Sequence, residues 1–235
     1  AQIAAHCVNA NVSVVLFDLP TAHKDGQSTD KNLIIRRAID NLKKLKPAPL
    51  ANKGDVDLMQ LANYEDDLQL LASCDLVIEA IAERLDWKHD LYKKVSPFLA
   101  PHAIFATNTS GLSITKLSEG FSEELKHRFC GIHFFNPANI MPLVEIIPAL
   151  QTDNSITNKS IELIKSWGKT VVVCKDTPGF IVNRVARNFY LEAMRIVMEG
   201  GANIPDVDAI MRSQGFKMGP FELMDIIGLD VNFAV

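Results

Sequence analysis

The chain has 235 residues, enough for one large domain or two modest ones around a buried core. It is 48% hydrophobic and 22% charged, an ordinary globular balance, and a net charge of −4 argues against a general nucleic-acid binder. No apolar run is long enough to span a bilayer.

Residues Ala1-Gln2-Ile3-Ala4-Ala5-His6 read as the opening turns of a helix. A strand follows over Val12–Leu19, its apolar run reaching Asp18. In a dinucleotide-binding unit, an acid ending the second strand lies about 20 residues after a glycine-rich turn and hydrogen-bonds a ribose hydroxyl. The helix, the strand and the acid are present here, without the first strand and its G-x-G-x-x-G turn. The unit is expected to be N-terminally incomplete, with a central strand missing and its neighbours' edges exposed.

Lys31–Leu45 has apolar residues at Leu33, Ile34, Ala38, Leu42 and Leu45, a helical spacing. Its basic residues Arg36, Arg37, Lys43 and Lys44, with Lys46, form either a solvated face or an anion-attracting rim. Lys46-Pro47-Ala48-Pro49 breaks the helix, and Lys53-Gly54-Asp55 makes a polar turn. Strands are expected at Asp75–Ala80, Ala103–Thr107, Arg128–Phe134, Leu143–Ile147 and Thr170–Cys174. Helices are expected at Leu85–Leu99 and at Ser155–Trp167, the latter stopped by Gly168. This alternation implies an α/β fold of Rossmann type, a mostly parallel sheet covered on both faces.

The pattern changes after Asp176-Thr177-Pro178. Pro178 suits a first helical turn, and a long helix Phe180–Met198 should follow, closed by Gly200-Gly201. Asp206–Ser213 and Phe221–Ile227 also look helical, with no strand pattern among them. The expected organisation is a sheet domain over 1–176 and a small all-α domain over 177–235, the latter cut short.

Cys7, Cys74, Cys130 and Cys174 form no C-x-x-C pair and read as buried thiols in a reducing compartment. A cytoplasmic location is expected, with the mitochondrial matrix left open. Adjacent side chains on a helix diverge, so His6-Cys7 is a poor metal site, and no metal is expected.

The chemistry concentrates at strand tips. His133 lies near the end of a strand, before the turn signal Asn136-Pro137. Ligands of open α/β sheets sit at such tips, and histidine is the usual acid–base group near neutral pH. The bland alternative is a core histidine bonded to backbone. Glu145 lies within the apolar run Leu143-Val144-Glu145-Ile146-Ile147, where a carboxylate is costly unless paired. A histidine is its natural partner, as orienter and charge stabiliser, unless it simply faces water on an edge strand. Ser110, in Thr107-Asn108-Thr109-Ser110-Gly111, suits either a ligand contact or a helix N-cap. It does not sit in a nucleophile elbow. Glu79, Glu83 and Lys88 are either cofactor contacts or surface charges at a helix start. Asn183 says little alone.

Four strings stand out together, Val77-Ile78-Glu79-Ala80-Ile81-Ala82-Glu83, Ala106-Thr107-Asn108-Thr109-Ser110, Gly131-Ile132-His133-Phe134-Phe135-Asn136-Pro137 and Leu143-Val144-Glu145. Two more follow, Lys175-Asp176-Thr177-Pro178-Gly179-Phe180-Ile181-Val182-Asn183-Arg184 and Met218-Gly219-Pro220-Phe221-Glu222-Leu223. In this order the set resembles the 3-hydroxyacyl-CoA dehydrogenases of fatty-acid β-oxidation, across essentially the whole chain.

The resemblance implies NAD as cofactor and an acyl-CoA thioester as substrate. It implies His133 as catalytic base, Glu145 as its partner, Ser110 on the substrate oxygen and Asn183 positioning substrate. Asp18 matches the ribose-binding acid, and Glu83, Lys88 and Asn136, with Ser110, match cofactor-site positions. The helical excursion within Ala22–Asn63 matches a region that contacts CoA, so its basic cluster would face CoA phosphates. The wording at Glu83–Tyr92 is similar to large bacterial proteins that also carry a hydratase module. A homodimer, or association with such a module, is expected, and the helical domain would serve substrate binding and dimerisation. Two other readings stand beside this one: a non-catalytic homologue of the same fold, and a nicotinamide dehydrogenase acting on a sugar or hydroxy acid. Retention of both His133 and Glu145 argues against the first.

Overall fold

The computed structural model describes residues 1–21 and 30–234. The chain separates into two compact units, Ala1–Asp176 and Thr177–Val235.

In the first unit, α1 (Gln2–Asn9) leads into β1 (Val14–Asp18), then α2 (Leu33–Lys44) and β2 (Met59–Asn63). β1 and β2 run parallel, Val14 opposite Met59 and Asp18 opposite Asn63. Parallel neighbours need a crossover, which α2 supplies. Its apolar face, Ile35, Ile39 and Leu42, packs with Ala4, Ala5 and Val8 of α1 and with Met59. β2 was not anticipated, because Met59-Gln60-Leu61-Ala62-Asn63 has no β-branched residue to announce a strand. Residues 22–29, part of the expected CoA-contacting excursion, lie outside the described residues.

The chain continues through β3 (Leu76–Glu79), α3 (Leu85–Val95), β4 (Ile104–Thr107), α4 (Ile114–Ser118) and α5 (Glu123–Lys126). β5 (Phe129–Phe134), β6 (Leu143–Pro148), α6 (Asn154–Ser166) and β7 (Thr170–Val173) complete the unit. These strands form one sheet in the order β3-β4-β5-β6-β7, parallel except for the antiparallel pair β5–β6. α3 ends sooner than expected because Pro97 turns its last residues into a 3₁₀ segment, Ser96–Phe98. Gly168, at φ 78°, ends α6 as its sequence position suggested.

Alternation along β5 and β6 sends side chains to two faces. Cys130, Ile132, Phe134, Val144 and Ile146 pack against Ile156, Ile164 and Trp167 on the α6 side. On the other face Phe129 joins Tyr92, Phe105 and Phe121, with Tyr92 stacked 4.5 Å from Phe121. α4 lies close over this face, and a Cβ at Gly131 would stand 2.9 Å from Ile114 Cδ1.

Among the described residues β1 and β3 do not pair. A cavity of about 770 Å³ lies between them, lined by Val15, Phe17, Val77 and Glu79 among others. That is where the sequence placed a further central strand.

The second unit is helical: α7 (Val182–Met198), α8 (Ile204–Ser213), α9 (Pro220–Ile227) and α10 (Leu229–Ala234). Pro178 does not occupy a first helical turn, as had been expected. Gly179 and Phe180 take φ of 72° and 46°, a left-handed turn that postpones the helix to Val182. Asp208 of α8 is buried, and its carboxylate accepts from the Phe221 and Glu222 amides at 2.9 and 3.2 Å, capping α9. This cap needs a glycine at its neighbour. A Cβ on Gly219 would lie 2.4 Å from Asp208 Cα. Backbone cannot yield as a side-chain end can, so Gly219→Ala should cost about 3 kcal/mol, the upper end of overpacking penalties. Urea unfolding measures it, and an unchanged midpoint would contradict this packing.

Candidate active site

His133 and Glu145 sit directly opposite each other in the β5–β6 register, so they share a face. His133 Nδ1 lies 2.8 Å from Glu145 Oε2. The His133 side chain is 5% exposed and that of Glu145 fully buried. The pairing of a costly buried acid with a strand-tip histidine is therefore present, and the water-facing alternative for Glu145 is not.

Ser110 follows the tip of β4, the strand beside β5. It does not cap α4, because that N-cap is Ser113, whose hydroxyl accepts from the Lys116 amide. The Ser110 amide donates to Glu83 Oε1 at 2.9 Å, as does Gly111 at 3.0 Å, and the Thr109 hydroxyl donates to the same oxygen. Glu83 thus shapes the loop that presents Ser110. Asn108, marked in the sequence only as one of four small polar residues at a strand end, binds the β4 tip to β5, its Oδ1 accepting from the Phe134 amide at 2.8 Å.

Glu79 and Lys88 are neither surface charges nor exposed contacts. Lys88 has no exposed side-chain surface, and its Nζ lies 2.6 Å from Glu79 Oε1 and 3.6 Å from Glu83 Oε2. Glu79 also accepts from Tyr92 OH at 2.9 Å, Thr107 Oγ1 at 2.8 Å and the Ile81 amide at 2.7 Å. One buried carboxylate so ties the β3 tip to α3 and β4. Burial and the adjoining Glu79 charge push the Tyr92 phenol well above its ordinary range.

Asp18 ends β1 and borders the cavity between the sheets, while Asn136 is exposed in the turn after β5. Asn183 lies in the first turn of α7, in the second unit. Asp18, Glu83 and Asn136 offer acceptors and an amide suited to the hydroxyls and amide of a dinucleotide. A glycine-rich cradle for its pyrophosphate is not in this sequence, so these residues fit the cofactor away from its phosphates.

Asp176 caps α4 from the other side. Its carboxylate accepts from Ser113 Oγ at 2.8 Å and from the Ile114 and Thr115 amides at 2.9 Å each. For Glu83 and Asp176 burial pushes the pKa up, but the donors around each outweigh it and hold both carboxyls below their ordinary values of 4.5 and 3.8. A depressed folded pKa contributes stability above the unfolded value, lost as pH falls through the folded one. The melting temperature should therefore drop below pH 4.5, and less steeply in a Glu83→Gln, Asp176→Asn variant. Identical acid slopes in thermal melts would remove both groups from the acid response.

Two family models cover the chain. Residues 1–177 match the 3-hydroxyacyl-CoA dehydrogenase NAD binding domain, and residues 179–235 match the C-terminal domain of the same family. The chain is 43% identical over 174 residues to the human mitochondrial hydroxyacyl-coenzyme A dehydrogenase, covering 74% of this chain and 55% of that protein. It is 42% identical over 233 residues to a Rickettsia prowazekii protein assigned provisionally as a fatty acid oxidation complex trifunctional enzyme, covering 97% of this chain and 32% of that protein. The chain thus spans about a third to a half of these relatives. Its fold superposes on the crystal structure of 3-hydroxybutyryl-CoA dehydrogenase from Escherichia coli K12 with a TM-score of 0.84 and 37% identity, covering 99% of this chain and 48% of that one.

Proposed function

We propose that this chain, which belongs to the 3-hydroxyacyl-CoA dehydrogenase family, carries the site for reversible NAD-dependent oxidation of an L-3-hydroxyacyl-CoA to the 3-ketoacyl-CoA in fatty-acid β-oxidation. The observation that carries this reading is the buried His133–Glu145 pair at the sheet's ligand edge.

Glu145 as a carboxylate can only accept, so the 2.8 Å contact places the histidine proton on Nδ1. Nε2 is then the basic nitrogen that takes the proton from the substrate's 3-hydroxyl. Glu145 balances the charge of the imidazolium that results, and its burial strengthens that balance. Ser110 holds the reacting oxygen, and Asn183 positions the substrate. When bound, NAD supplies the hydride acceptor. Asp18, Glu83, Asn136 and Ser110 hold it, while Lys88, having no exposed surface, serves the cofactor through Glu83. The exposed basic face of α2, with Arg37, Lys43 and Lys44, receives the CoA phosphates.

The greater length and trifunctional name of the Rickettsia prowazekii relative support a larger polypeptide or complex; its further part is proposed to be a hydratase module, and the helical unit is proposed as a dimer surface. No helix among the described residues is long and apolar enough to cross a membrane, and the buried thiols of Cys7 and Cys130 fit a reducing compartment such as the cytoplasm.

The test is NADH oxidation by the whole polypeptide with acetoacetyl-CoA against free acetoacetate. Turnover of the thioester, with little of the free acid, is expected. Equal rates would favour a dehydrogenase of free hydroxy acids, and no rate with either would favour a non-catalytic homologue.

A further inference from the structure

Lys169 lies between α6 and β7 and is 7% exposed. Its Nζ donates to the carbonyls of Ala138 at 2.6 Å and Met141 at 2.8 Å. Among the described residues it forms no ion pair with a carboxylate, and its neighbours on α1 bring no negative charge. Burial pushes the Cys7 thiol up to about 11, keeping it neutral, and burial together with Lys169 pushes His6 down. A buried ammonium without a counter-charge is costly, so its position calls for a reason.

The two carbonyls supply one. Both belong to the 135–142 turn, which joins the strand of His133 to the strand of Glu145 and carries Asn136. The turn has its own bonds, from the Ile140 and Met141 amides to the Pro137 carbonyl at 3.0 and 2.9 Å. Its outer carbonyls, however, point at Lys169. An apolar side chain there would leave both without a donor.

We propose that Lys169 is a positioning residue for the dehydrogenation: its ammonium pins the 135–142 turn, and through that turn it fixes His133 against Glu145 and sets the placing of Asn136. The proposal rests on the catalytic reading of His133 given above. It adds a residue that touches neither substrate nor cofactor.

The experiment compares the wild-type polypeptide with Lys169→Ala, with and without added propylamine, and with propanol as the uncharged control. Displacing a reacting group by about 1 Å costs about 10²-fold, so kcat in Lys169→Ala should fall toward that factor while KM for the CoA thioester changes little. Propylamine should restore much of kcat, and propanol should not. Independently of turnover, the Ile140 and Met141 amides should exchange hydrogen faster in the variant and slow again with the amine.

Unchanged kcat and exchange would overturn the proposal. So would an amine that restores slow exchange and leaves kcat low, since Lys169 would then be structural only. Should Lys169→Ala not fold, Lys169→Met keeps the volume, and an undiminished kcat in it is equally decisive. If the wild-type polypeptide shows no dehydrogenation, the catalytic reading fails, while the exchange arm still reports whether Lys169 holds the turn.

Discussion

Replacing His133 by glutamine is expected to lower turnover by about 10²–10⁴-fold, the usual worth of a positioned acid–base group, with binding of the CoA thioester nearly unchanged. Glutamine keeps the approximate volume and a hydrogen-bonding tip at a position that is 4% exposed, so the loss isolates proton transfer from packing. Glu145→Gln should act in the same direction for a different reason. The amide can still accept the Nδ1 proton, but it cannot balance an imidazolium in a site from which water is excluded. The two losses should fall short of adding in the double variant, because both residues serve one proton transfer. Steady-state kinetics on the single and double variants checks all three statements. Near-normal turnover in His133→Gln would remove the imidazole from the mechanism.

The second large effect concerns stability. Lys88→Met should cost about 3–5 kcal/mol, because it leaves the Glu79 carboxylate without its counter-charge in a site with almost no solvent contact. Tyr92, Thr107 and the Ile81 amide still donate to that carboxylate, but none carries a charge. Glu79→Gln made together with Lys88→Met removes both charges. It should recover much of the loss, since the remaining donors can satisfy an amide oxygen. Denaturant unfolding of the two variants measures the difference. If the double variant is as unstable as Lys88→Met alone, packing of the lysine stem rather than the orphaned charge is responsible.

The distribution of what could be read in advance follows from the physics. Glu145 announced itself because a carboxylate in an apolar strand must have a partner, and the antiparallel register supplies His133. β4, β5 and β6 were legible because buried strands write apolar runs, bounded here by turns, and the less buried β3 and β7 because of their β-branched residues. β2 was not, because its pairing with β1 imposes a strand on residues with weak β preference. α4 and α5 are too short to carry a periodicity. Glu79 looked like a charge at a helix start because its partners Tyr92 and Thr107 lie 13 and 28 residues away, a proximity only the sheet creates. Lys169 drew no notice for the same reason, its acceptors lying 31 and 28 residues earlier. Pro178 misled because proline suits a first turn equally well in isolation, and the left-handed Phe180 that delays the helix leaves no mark in composition.

Nitrogen-15 NMR of the His133 imidazole in the NAD-saturated polypeptide at neutral pH asks most directly whether this pair is built for proton abstraction. A proton on Nδ1, shared toward Glu145, with Nε2 unprotonated, is the expected state. A stable Nε2–H tautomer in that complex would contradict it, because no basic nitrogen would then face the substrate hydroxyl.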